Sequence, residues 1–115
     1  MDREFNLEDE ITKIDESIAK LKHAIEIAKA TTKLLSSEGY VKVIEQSILE
    51  RLVESATYEL VNKRLGSETE QDRLDELRFV RDLREYTKQL IVAGELAKTN
   101  LAKEEVYRES ILNNQ

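Results

Sequence analysis

Apolar residues recur at helical spacing along almost the whole chain. Leu7, Ile11, Ile14, Ile18, Leu21, Ile25 and Ala28 alternate by four and three, the signature of a coiled-coil seam. With Ile11, Ile18 and Ile25 at a positions, Leu7, Ile14, Leu21 and Ala28 take the d positions. The spacing predicts one long helix over residues 2–37. Acidic residues crowd its front and Lys20, Lys22, Lys29 and Lys33 occupy its back, an order that complements the helix dipole. So narrow a seam stays wet on an isolated helix. The seam Leu7, Ile11, Ile14, Ile18, Leu21 and Ile25 is therefore the candidate interface, whether it pairs within the chain or between chains.

Ser36-Ser37-Glu38-Gly39 is the first break, with Gly39 in the place of a C-terminal turn glycine. A second helix is expected over residues 40–65. Its stripe of Val41, Ile44, Ile48, Leu52, Ala56 and Leu60 recurs mostly every four residues, widened by Leu49, Val53 and Val61. Gly66 should end it. Ser67 with Glu70 reads as a capping box that starts a third helix over residues 68–93. So short a link predicts an antiparallel αα-hairpin. The third stripe is Phe79, Leu83, Tyr86, Leu90, Ala93 and Ala97, with Tyr86 in the core. Gly94 marks a kink, a close helix contact or a boundary.

Continued by four and three, that stripe meets Leu101, Glu104 and Arg108, so the seam should be lost there. Residues 94–115 are then a helical tail, mobile in the free protein and ordered when Val106, Tyr107, Ile111 and Leu112 dock on a partner. The fold class that follows is all-α: a long N-terminal coiled-coil helix, then an antiparallel αα-hairpin with an extended C-terminal arm. The whole is a single helical domain over residues 1–115.

Composition narrows the function. Proline is absent and glycine occurs three times, too few turn residues for a β-rich domain. Charged residues reach 37%, yet strict apolar spacing argues against disorder. No apolar run approaches the ~20 residues of a membrane span, and the N-terminus is too acidic for a signal peptide. With no cysteine, disulfides, thiolate metal sites and thiol nucleophiles are excluded. These features favour a cytoplasmic protein. A net charge of -6 runs against nucleic-acid binding, which needs excess Lys and Arg.

Catalytic chemistry finds little to work with. His23 is the sole histidine, and the heptad register puts it at f, facing solvent. No Glu-x-x-His pair, calcium loop or phosphate-cradling glycine loop is present. No catalytic, metal or cofactor residue is assigned, and no cofactor is expected. Arg73, Arg78, Arg81, Arg84 and Lys88 form the densest basic group. Asp72, Asp75, Glu76, Asp82 and Glu85 are interleaved with it, so it reads as an ion-paired helix surface.

The stretch EGYVKVIEQSILERLVESATYELVNKRL, followed by GSETEQDRLDELRFVRDLREYTKQLI, covers residues 38–91. It resembles a family of short helical-hairpin proteins of tailed bacteriophages. Members carry a Gly-aromatic entry, a first helix, a charged link and a second helix rich in Leu-Arg. Such proteins sit among head and packaging genes, so the resemblance implies a virion or head-assembly role. The expected function is that of a non-enzymatic structural or assembly protein. Its expected partners are itself, as a homo-oligomer, or other assembly proteins. The alternative is a small helical adaptor or inhibitor that binds a cellular regulatory protein.

Overall fold

A computed structural model describes residues 6–114. The protein is all-α. Helix α1 spans Leu7–Leu35, a π-helical stretch Tyr40–Leu49 runs directly into α2, Glu50–Asn62, and α3 spans Ser67–Asn113. Of the first helix expected over residues 2–37, residues 2–5 lie outside the described residues. Its start is set by Asn6, whose side-chain oxygen accepts from the Asp9 N–H at 3.2 Å and whose carbonyl accepts from Glu10 at 3.0 Å. That is an N-cap.

Serine, not glycine, makes the first turn. The Ser37 hydroxyl donates to the Leu34 carbonyl at 2.7 Å and accepts the Tyr40 N–H at 3.2 Å. One side chain thus closes α1 and opens the next helix. Gly39 is not a C-terminal turn residue: at φ -61 and ψ -46 it is already helical. At the second turn, α2 stops at Asn62 rather than at residue 65, and Lys63 is extended. The Gly66 carbonyl accepts the Glu70 N–H at 2.9 Å. Gly66 is therefore the N-cap and Ser67 the first helical residue, so the Ser67–Glu70 capping box does not form.

Contacts group the chain into two compact units. One joins the residues up to Ala30 with those from Leu90 onwards; the other is Thr31–Gln89. α1 and α3 each contribute to both units.

In the second unit, the π-helix and α2 form the expected hairpin with the first half of α3. Arg84 pairs with Glu45, and Arg73 Nε lies 2.8 Å from Glu59 Oε2. These ties fix an antiparallel register that brings Val80 level with Leu49, the two large side chains that are fully buried.

The covered face of α3 differs from the expected stripe. Val80, Leu83, Thr87, Leu90, Gly94 and Ala97 are buried or half-buried, whereas Phe79 is 56% and Tyr86 60% exposed and Ala93 faces out. Both sets alternate by three and four and share Leu83, Leu90 and Ala97. The small residues prevail because they permit close helix approach.

Helix α3 also runs unbroken through Gly94, so residues 94–113 are not a separate tail. Leu101, Glu104, Arg108 and Ile111 are all half-buried in the first unit. The seam continues past Leu101; only its chemistry turns polar. The stretch expected as a helical tail is helical and pairs with α1 through Tyr107 and Arg108.

Candidate protein-interaction site

The candidate site is the α1 seam. Its residues share one face because their spacing matches the helical repeat. Ile14 is buried, and Leu7, Ile11, Ile18, Leu21 and Ile25 are half-buried. The partner within the first unit is the far half of α3, running antiparallel. Arg108 Nε donates to Asp15 Oδ1 at 2.7 Å, and the Tyr107 hydroxyl donates to Glu10 Oε1 at 3.4 Å. Further along, Gly94 meets Ala28 and Ala24, where an added Cβ would overlap the Ala28 Cβ and lie 3.3 Å from the Ala24 carbonyl. The part of α1 that carries the seam is thus paired within the chain.

Coverage is unequal across the seam. Ile14 and Ala28 are buried and mark the line of closest coverage; Leu21 between them is half-buried, as Ile11, Ile18 and Ile25 are. Glu10, Ser17 and Ala24 flank that line on one side; Ile11, Ile18 and Ile25 flank it on the other, seven residues apart and half-buried. Two helices cannot enclose a seam of this width, so the isoleucine flank stays within reach of a further helix.

Electrostatics tighten the pairing more than they create a binding site. The hydrogen bond to Asp15 raises the Arg108 pKa and holds its guanidinium charged. The Glu10 carboxylate raises the Tyr107 pKa, because a phenolate beside it would be repelled. The basic group on α3 is neutralised as expected. Arg73 pairs with Glu76 and Glu59, Arg78 with Asp75, Arg81 with Asp82, Arg84 with Glu45 and Lys88 with Glu85. Arg73 and Arg84 do more than decorate a surface, since each also ties α3 to the opposite arm of the hairpin. Sequence spacing could not have found those ties, because their partners lie on another element.

His23 is exposed. Among the described residues, no group of three or more His, Cys, Asp or Glu side chains could hold a metal ion. No helix among them is long and apolar enough to cross a membrane. Exposed apolar residues on α3 in the first unit, Val92, Leu96 and Val106, lie on the side away from α1. Of the three expectations for Gly94, the close helix contact is the one found.

No protein-family model, no curated protein and no solved structure matches the chain.

Proposed function

We propose that this protein is a non-enzymatic structural or assembly component that acts through helix packing, with copies of itself or with other assembly proteins. The observation that carries the reading is the isoleucine flank of α1. Ile11, Ile18 and Ile25 stay half-covered beside a seam whose centre is occupied within the chain. Large aliphatic side chains repeated at seven-residue intervals are the form in which one helix receives another. Burying the rest of each would contribute on the order of 1 kcal/mol per side chain. The narrower form, a virion or head-assembly component of a tailed bacteriophage, rests on the resemblance of residues 38–91.

The test replaces both Ile11 and Ile18 with Asp and follows mass by light scattering and helicity by circular dichroism. The expected result is a smaller species that keeps its helicity. A helical variant with the wild-type mass would overturn the assignment of this flank. A wild-type protein that stays monomeric and binds a regulatory protein one-to-one would support the adaptor reading instead.

A further inference from the structure

In the arm formed by residues 40–62, the covered positions are Tyr40, Val41, Ile44, Glu45, Leu49, Leu52, Val53, Ala56, Glu59 and Leu60; one line through them runs Val41, Ile44, Leu49, Leu52, Ala56 and Glu59. The steps along that line are three, five, three, four and three. All but one belong to a heptad; the step from Ile44 to Leu49 is one residue too long. In an α-helix, residues five apart point about 140° away from each other. They share a face here because this stretch is π-helical, with bonds that reach back five residues. The Glu50 N–H bonds to the Glu45 carbonyl, and the Ser47 hydroxyl donates to the Lys42 carbonyl at 2.7 Å. A purely α continuation back from Leu49 would bring the exposed Lys42 inward in place of Val41 and would centre Glu45, now half-buried beside Ile44, on the covered side.

The position of the extra residue is not unique. Moved one turn towards α2, it gives the steps three, four, five and three through Val41, Ile44, Ile48, Val53 and Ala56. Every member of that second set is apolar. At present Leu49 is 1% exposed while its neighbour Ile48 is 43% exposed, and Leu52 and Val53 are both half-buried. We propose that the π-helix is a slip joint: the extra residue moves between these two places, exchanging Leu49 and Leu52 for Ile48 and Val53 under the seam. Val41, Ile44 and Ala56 keep their places in both arrangements, so only the stretch between Ile44 and Ala56 turns.

Relaxation-dispersion NMR on the full chain tests this, since it detects exchange on the μs–ms scale expected of helix register shifts. Wild-type protein should show exchange centred on residues 44–53. Deleting Ser47 removes the surplus residue; it should abolish the exchange and raise the thermal midpoint by about 4 °C. Ile48→Gln keeps the chain length but spoils the second set, and it too should abolish the exchange. The proposal is overturned by absent exchange in the wild type, by exchange that survives either change, or by a Ser47 deletion that lowers the midpoint.

Discussion

At the scale of single residues, the close approach of α1 and α3 turns on Gly94. Its missing Cβ leaves room that Ala28 and Ala24 fill. Gly94→Ala would ordinarily help a helix by ~1 kcal/mol. Here the overlap with Ala28 should dominate, for a net loss of about 1–2 kcal/mol once overpacking is included. Adding Ala28→Gly removes the clashing carbon and should recover much of that loss, measured by chemical denaturation. Ser67 makes a contrasting case. As the first helical residue it caps nothing, so Ser67→Ala should change stability by less than about 0.5 kcal/mol; a loss near the ~1 kcal/mol typical of an N-cap would restore the capping box. Tyr107 gives the unit a pH dependence. Its pKa is raised in the fold by Glu10, so the folded state favours the neutral phenol. Its contribution is fully present below the ordinary tyrosine range and is lost as pH rises through the raised folded value. Tyr107→Phe should remove that part of the alkaline loss in a denaturation series against pH. An unchanged slope would show that the hydroxyl does not feel Glu10.

At the scale of elements, the existence and order of the helices were legible from apolar spacing and the two breaks. Phase was harder to read. On α3, the set starting at Phe79 and the set starting at Val80 both fit a heptad. Apolar character favours the first, because it weighs Phe79, Tyr86 and Ala93 above Val80, Thr87 and Gly94. Packing chose the second, since how closely two backbones approach depends on how small the residues between them are. The same bias hid the continuation of the seam. Glu104 and Arg108 looked like its end, yet a long side chain can cover a seam with its stem while its charge reaches out, as Arg108 does towards Asp15. In the second arm, the recurrence of apolar residues every four positions suggested a broad stripe. It disguised one surplus residue, whose consequence is visible only through backbone bonds that span five positions.

At the scale of the whole molecule, the α1 seam was legible as a surface that must be covered, but the helix that covers it within the chain was not. Leu7, Ile11, Ile14, Ile18, Leu21 and Ile25 carry the pattern of a surface that must be covered, and nothing in their spacing says by which helix. The far half of α3 takes the centre of that surface, and the flank of Ile11, Ile18 and Ile25 remains half-covered. On the function proposed above, intrachain pairing sets the line along which association between chains would be built. Sedimentation equilibrium of the wild-type chain over a wide concentration range tests this most directly. Self-association predicts a mass that rises towards a whole multiple of 13.3 kDa; a mass of 13.3 kDa at every concentration would contradict it.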